Sequence, residues 1–384
     1  MNRTTSRKAP RRIALRAFWV QVHLWLGLSL GVVGAFLGLS GSLLVYDGEI
    51  DAWLHPARYA TTGPGVGRPL GEYADRAAQA LGGGTRPTAL RFPDGGEGPV
   101  IVFARAGQGP FQRVYLDPPS GRVLDVGSGF DLIAWLHTFH ESLQLRDYSG
   151  REIVGAVGIA MLISSLSGIY LWWPARGLGV AAFGFRRGFT TSRNLHYTFG
   201  FYGSILLAML SFTGIFLAYQ DAGRAVVAAF GAVSASPRGV QSPESPGKAV
   251  GVERAVDAAR ELYPGAAVTG IGLPMGPRGA YRISLREAGD SSPRPGTVVF
   301  VDPRTRAVLQ HSGLATRTRG DGFLTAQRVL HEGHWWGSVG PALTFVVGFL
   351  PATLVVTGTL IWLRSRRRRA DARPIGVAAV GTND

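Results

Sequence analysis

The sequence predicts a membrane all-α four-helix bundle carrying two extracytoplasmic α+β domains, built by internal duplication. Three observations predict it. Four stretches are long and almost free of charge. The basic residues gather on three short segments between and beyond those stretches. The same motifs recur in both halves of the chain.

The apolar stretches are Ala17–Tyr46, Ile153–Trp173, Leu195–Tyr219 and Val339–Leu363. A helix rising about 1.5 Å per residue needs about 20 residues to cross about 30 Å of hydrocarbon, and each stretch meets that length. The mean hydropathy of +0.13 averages these spans with two polar inserts. The first span is too long for the apolar region of a signal peptide and no A-x-A site follows it, so it is expected to stay as a span.

The net charge is +15. Residues 1–16 carry six basic groups and no acid; the loop 174–194 carries Arg176, Arg186, Arg187 and Arg193 and no acid; residues 364–384 carry six arginines against Asp371 and Asp384. Cationic loops stay cytoplasmic, so both termini and the middle loop are expected inside, in a bacterial inner membrane. Membrane lipid accounts for this charge and no nucleic-acid partner is needed. The inserts 47–152 and 220–338 then face the periplasm. The chain has no cysteine, which excludes disulfides, thiolate-bound iron–sulfur clusters and cysteine nucleophiles.

The duplication is visible residue by residue. His23 stands 18 residues before Gly41, and His196 stands 18 before Gly214. Val114–Leu124 reads VYLDPPSGRVL and Val299–Leu309 reads VFVDPRTRAVL. Alternating apolar residues around an Asp-Pro turn predict a β-hairpin in each insert. Helices are predicted before the hairpins, over Leu70–Leu81 and Val250–Tyr263. The expected division is 1–60 (basic N-terminus and first span), 61–130 (first outer domain), 131–220 (second span, loop, third span), 221–320 (second outer domain) and 321–384 (fourth span and basic tail). Two helix–domain–helix units entering in the same direction form a parallel repeat.

Six of the eight histidines lie in or beside the spans: His23, His137, His140, His196, His331 and His334. An imidazole near hydrocarbon is costly unless bound, and paired histidines across membrane helices are the usual axial ligands of b-type haem. His23 and His196 share a depth and are the expected ligands of a cytoplasmic-side haem. On the outer side, His140 precedes Gly168 by 28 residues and His331 precedes Gly358 by 27, which pairs His140 with His331. Aligning the Leu-His dipeptides instead pairs His137 with His331 and His140 with His334. Both registers remain open at this point. HEGH is not the H-E-x-x-H of zinc peptidases, and no cysteine or acidic cluster completes a tetrahedral set.

Other residues have simpler expected roles. Gly27, Gly31, Gly34, Gly38 and Gly41 are spaced 4, 3, 4 and 3, one stripe for close helix contact. Trp135, Trp172, Trp173, Trp335, Trp336, Tyr46 and Tyr219 are expected at the interfaces. His55 and His311 read as surface histidines, Asp47, Glu49 and Asp51 as the exit of the first span, and Arg151 as a partner for lipid headgroups or a haem propionate.

The H-x-W-x-G-L opening at His23, HESL at His140, LHEG at His331, the closing WLRSRRRR and the duplicated outer domain together resemble the PepSY-associated transmembrane proteins. The resemblance implies two PepSY-like outer domains on a four-helix bundle. In some members it implies two b haems and reduction of ferric siderophores. The expected function is therefore a haem oxidoreductase that passes electrons to a periplasmic acceptor, a ferric siderophore first. No Rossmann or flavin fingerprint is present, so a quinol or a cytoplasmic reductase is the expected donor. The alternative is a non-catalytic, membrane-anchored binding or regulatory protein.

Overall fold

A computed structural model describes residues 11–82, 84–93, 95–107, 109, 111–127, 130–176, 185–186, 188–234, 240–243, 250–290, 292 and 296–371. The basic groups before residue 11, Arg187 and the tail beyond 371 lie outside the described residues. The described chain falls into two compact units. One lies within Met1–Val45, Leu136–Tyr219 and Leu330–Asp384; the other comprises Tyr46–Trp135 and Gln220–Val329.

The helices in chain order are α1 (Arg11–Ser29), α2 (Gly31–Leu44), α3 (Asp47–Leu54), α4 (Leu70–Leu81), α5 (Leu132–Ser142) and α6 (Gly150–Arg176). They continue with α7 (Thr191–Ala218), α8 (Gln220–Ala228), α9 (Val252–Leu262), α10 (Arg319–His331), α11 (Val339–Gly348) and α12 (Leu350–Asp371). Three helical stretches are long and apolar enough to cross a membrane: Gly150–Trp173, Thr191–Ala218 and Val339–Asp371, the last combining α11 and α12. The bent pair Ala14–Ser29 and Gly31–Leu44 passes the same test together.

The first span is expected as one stretch with one glycine stripe, and the structure corrects this. α1 and α2 meet at 60° across Leu30. The Ser29 hydroxyl donates to the Trp25 carbonyl at 2.6 Å, and Gly27 and Gly31 flank the break. Serine back-bonding and glycine both weaken the helical ladder, the usual cause of a sharp kink. The stripe is split accordingly. A Cβ at Gly27 would meet nothing within 4 Å, whereas one at Gly31 would lie 2.8 Å from Val355, and one at Gly34 2.9 Å from the Met161 sulfur. Gly38 and Gly348 bring the α2 and α11 backbones together, since a Cβ at Gly348 would lie 2.6 Å from the Gly38 carbonyl. Ser42 locks that crossing by donating to the Phe345 carbonyl at 2.7 Å.

The second unit is built on one sheet. Its strands are β1 (Thr85–Arg91), β2 (Val100–Ala106), β3 (Phe111–Leu116), β4 (Val123–Gly127), β5 (Ala267–Gly272), β6 (Tyr281–Arg286), β7 (Thr297–Val301) and β8 (Val308–Ser312). The order is β4-β3-β2-β1-β5-β6-β7-β8, with every neighbour antiparallel. The expected hairpins are β3–β4 and β7–β8. The two outer domains expected at 61–130 and 221–320 share this sheet. β1 and β5 pair through Ala89–Gly272, Leu90–Ile271 and Arg91–Gly270. Each half alone would leave an open edge with unmet backbone groups, and pairing the two edges removes both. α4 and α9 cover one face, where Tyr73, Ala77, Val256 and Ala259 bury Val102, Val114, Ile283 and Val299.

The two Asp-Pro turns are the anchors of this unit. Asp117 is fully buried and accepts from the Thr62 amide and hydroxyl, both at 2.7 Å, and from the Ser120 hydroxyl. Asp302 is equally buried and accepts from the Arg304 and Thr305 amides at 2.8 and 2.7 Å and from the Ser242 hydroxyl. In both repeats the next carbonyl is also used: Pro118 accepts from the Gly67 amide, Pro303 from the Val250 amide. Burial alone would raise the Asp302 pKa, but these donors overcome it and hold it down to about 2. The folded pKa is below the usual 3.8, so this stabilisation is complete above about pH 4 and fades as pH falls toward 2.

Asp302→Asn removes the charge that these donors stabilise. Thermal unfolding of the full-length variant at neutral pH should show a loss of roughly 1–3 kcal/mol. The deficit should shrink as pH falls from about 4 toward 2, where first the unfolded and then the folded wild-type carboxylate protonates; an equal deficit at every pH refutes the charge-based account.

Candidate functional site

Four histidines of the helical unit form two pairs. The rings of His23 on α1 and His196 on α7 lie 6.3 Å apart between centroids, at 86°. The rings of His140 on α5 and His331 on α10 lie 6.1 Å apart, at 49°. Of the four outer candidates, His140 and His331 are thus the two brought together. His137 is half-buried on α5, three residues before His140, and His334 is exposed in the turn after α10.

All four rings are held alike. His23 Nδ1 lies 3.1 Å from the Ser164 carbonyl and 3.0 Å from the Ser167 hydroxyl. His140 Nδ1 lies 3.0 Å from the Leu37 carbonyl and 3.1 Å from the Ser40 hydroxyl. His331 Nδ1 lies 3.0 Å from both the Leu210 carbonyl and the Thr213 hydroxyl. His196 Nδ1 lies 3.1 Å from the Thr357 hydroxyl and is also hydrogen-bonded to the Leu354 backbone. The residue after each hydroxyl is glycine, and the ring rests on it. A Cβ at Gly168, Gly41, Gly214 or Gly358 would lie 3.3, 2.8, 3.1 or 3.1 Å from Cε1 of His23, His140, His331 or His196.

This arrangement fixes chemistry. A carbonyl only accepts, so each ring donates from Nδ1–H. Each hydroxyl spends its own proton on a carbonyl of its helix, as Ser40 does to Leu37 and Thr357 to Thr353, and is left as a second acceptor. The neutral imidazole then carries its lone pair on Nε2, the form that ligates a metal. Two such nitrogens on one metal, with bonds of about 2 Å each, put the ring centroids about 6 Å apart. Both observed spacings match, and glycine leaves the room each ring needs. The residues therefore fit the axial ligation of two b haems.

The clamp is a five-residue pattern: a carbonyl, then a hydroxyl three residues on, then glycine. It reads Leu37–Gly41, Ser164–Gly168, Leu210–Gly214 and Leu354–Gly358, once in each apolar span. The glycines at its end mark the repeat in the sequence; the hydroxyl before each one is the signal that sequence reasoning passes over. α7 supplies His196 near one end and the clamp of His331 near the other, 18 residues apart. At about 1.5 Å per residue the two pairs are separated by roughly 27 Å along this unbroken helix.

Other residues singled out in the sequence have partners within their own units. Arg151 pairs with Glu141 at 3.2 Å, so its charge is met within the protein. Trp172 is buried and stacks on Phe201 at 3.8 Å. Asp51 belongs to a buried cluster: Arg58 reaches Asp51 and Asp125 at 2.8 Å each, Tyr59 donates to Asp51, and His55 Nδ1 lies 3.0 Å from it. His311 is exposed, as expected of a surface histidine, with its Nδ1 2.9 Å from the Tyr263 hydroxyl. Among the described residues no group of three or more histidine, aspartate or glutamate side chains could hold a metal ion.

Fold and site together define a membrane protein whose helical unit presents two clamped histidine pairs and whose second unit is a duplicated antiparallel sheet. The family model for the PepSY-associated TM region matches residues 20–365, and the chain belongs to that family. No curated protein matches the chain.

Gly41 and Gly27 provide a matched comparison. Gly41→Ala should push His140 off its clamp and lower the unfolding temperature of the detergent-solubilised protein, at a cost of about 1–3 kcal/mol. Gly27→Ala, in open space, should be neutral or slightly stabilising. Equal effects would refute the close approach of His140 to α2.

Proposed function

We propose that this protein is a bacterial inner-membrane b-type haem oxidoreductase that delivers electrons to a periplasmic acceptor, a ferric siderophore first among them. In this reading α1–α2 and α11–α12 each count as one span, giving a four-helix bundle with α6 and α7. The basic segments before α1, between α6 and α7 and after α12 lie in the cytoplasm. The observation that carries the reading is the pair of imidazole spacings, 6.3 and 6.1 Å, on rings whose Nδ1 protons are already committed.

His23 with His196, and His140 with His331, would each hold one haem through Nε2. Haem bound there supplies one-electron transfer at a potential set by its ligands and their surroundings. The chain's own part is positional. The carbonyl and hydroxyl acceptors select the ligating tautomer, and acceptors on Nδ1–H raise the basicity of Nε2. The apolar spans withhold water from the rings. One electron converts bound Fe(III) to Fe(II), which hard oxygen chelators hold more weakly. No acid–base dyad is required, and the donor is read as a quinol or a partner reductase.

Visible spectra of the purified protein, oxidised and dithionite-reduced, test this directly. About two haems per chain are expected, with a sharpened Soret band and narrow α and β bands on reduction. His23→Ala or His196→Ala should remove one of them, and His140→Ala or His331→Ala the other. His137→Ala and His334→Ala should retain both. Absence of haem in protein produced with ample haem would overturn the reading in favour of a membrane-anchored binding protein.

Thr213→Val preserves side-chain volume but removes one acceptor from His331. Redox titration should show the wave lost in His331→Ala moving to a more positive midpoint, with the other wave unmoved. An unchanged midpoint would mean that the hydroxyl serves packing alone.

A further inference from the structure

The sheet has a second face, opposite α4 and α9, that the preceding function does not use. Alternation along the strands assigns its residues. Leu90, Ile271, Ile283 and Val299 point to the helices, so Ala89, Arg91, Gly270, Gly272, Arg282 and Ser284 point the other way. The register lines them up. One row across the seam reads Arg113, Phe103, Ala89, Gly272, Arg282 and Phe300; the next contains Tyr115, Ile101, Arg91, Gly270, Ser284 and Val298.

Two properties of these rows coincide. The flanks are closed: Tyr115 is 1% exposed, Ile101 6%, Phe300 7% and Val298 8%. The middle is open, because the seam between β1 and β5 is paved with alanine and glycine, and Arg91 and Arg282 beside it are exposed. A Cβ added at Gly272 would meet only atoms of Arg282, its Cβ at 3.2 Å and its backbone carbonyl and amide at 3.8 and 4.0 Å. Glycine inside a strand pair weakens the sheet and marks places where something approaches the backbone closely.

The charge on this strip is one-sided. The Arg91 and Arg113 guanidinium groups both lie over the Phe103 ring, at 5.8 and 5.9 Å. Arg113 is paired with Asp131 at 3.2 Å. Among the described residues Arg282 bonds only the Ser284 hydroxyl, at 2.9 Å, and Arg91 makes no ion pair within 4 Å. Asp47 acts on Arg91 electrostatically, from beyond ion-pair range. Both side chains reach solvent, yet the surrounding protein withdraws enough water that burial lowers the pKa of each; at Arg91 the Arg113 charge adds to this. An anion between them would relieve that cost.

The geometry points to a binding trough for a small, oxygen-rich anionic chelate on this seam, with Arg91 and Arg282 as its carboxylate-binding arms and Gly270 and Gly272 as its floor. Guanidinium forks match carboxylates in bidentate fashion, and a flat glycine floor admits a bulky metal complex that a Cβ would hold off. The role of the chelate as electron acceptor rests on the proposed redox function; its binding does not.

The test is calorimetric titration of full-length, detergent-solubilised protein with gallium(III) citrate, a redox-inert anionic chelate. Saturable binding that weakens as salt is raised is expected. Arg91→Gln/Arg282→Gln should weaken it roughly tenfold or more. Gly272→Val, which keeps both arginines, should also weaken it, with thermal unfolding and haem content unchanged in both variants. Failure of the wild type to bind, or equal binding by the arginine variant, overturns the trough. Arginine-dependent binding to anionic phospholipid vesicles without chelate binding also overturns it, assigning the strip to a lipid surface. Loss of haem with chelate binding intact would count against the redox reading alone.

Discussion

The hydrogen bond from each histidine Nδ1–H to a carbonyl and a hydroxyl of a neighbouring helix is the constraint around which the bundle is arranged. An imidazole among apolar helices has two nitrogens to satisfy, and an unmet one costs several kcal/mol in hydrocarbon. Here one nitrogen is answered by a backbone carbonyl whose own helix partner is shared with a serine or threonine. That answer requires the ring to lie against the helix, and only glycine at the following position allows it. The four glycines are therefore a consequence of the four histidines. The contact also dictates which helices touch: α1 to α6, α5 to α2, α7 to α12 and α10 to α7.

Duplication solves two problems of the same kind. Neither half of the bundle completes a histidine pair, because each half supplies one ring to each pair. Neither half of the sheet completes its own edge, because β1 and β5 find their outer partners only in each other. In both units the halves are complementary by repetition, as a two-fold contact requires. The Asp-Pro turns show how closely the repeat is kept. A buried carboxylate, a hydroxyl donor upstream and a proline carbonyl capping the approach to the helix occur in both copies.

Much of this was legible in the residues. Length and apolarity marked the spans, and the Asp-Pro hairpins and both amphipathic helices of the inserts could be placed because period-2 and period-3.6 patterns survive any tertiary arrangement. The equal spacing from histidine to glycine matched His23 with His196, since depth along a helix is a linear quantity. Three features were not legible. The kink at Leu30 depends on where one serine hydroxyl turns. The fusion of the two sheets depends on edge strands that look alike whether covered, open or paired. The buried state of Asp51 depends on Arg58, seven residues on, returning across a short helical turn; composition alone reads the acids after a span as exposed.

The separation of the pairs follows from the same economy of parts. α7 runs unbroken through 28 residues and serves both layers, with its own His196 near the start and its Leu210–Gly214 clamp near the end. Its length sets the distance between layers, so a residue inserted between them would both lengthen the gap by about 1.5 Å and rotate one site by about 100° relative to the other. The first span, by contrast, carries His23 and the Leu37–Gly41 clamp on two segments bent by 60°. The halves share a spacing in sequence but not a path in space. The unbroken helix fixes the distance between the layers, and the bend in its counterpart makes the two halves unequal. The two pairs, drawn from like motifs, also differ in ring angle, 86° against 49°.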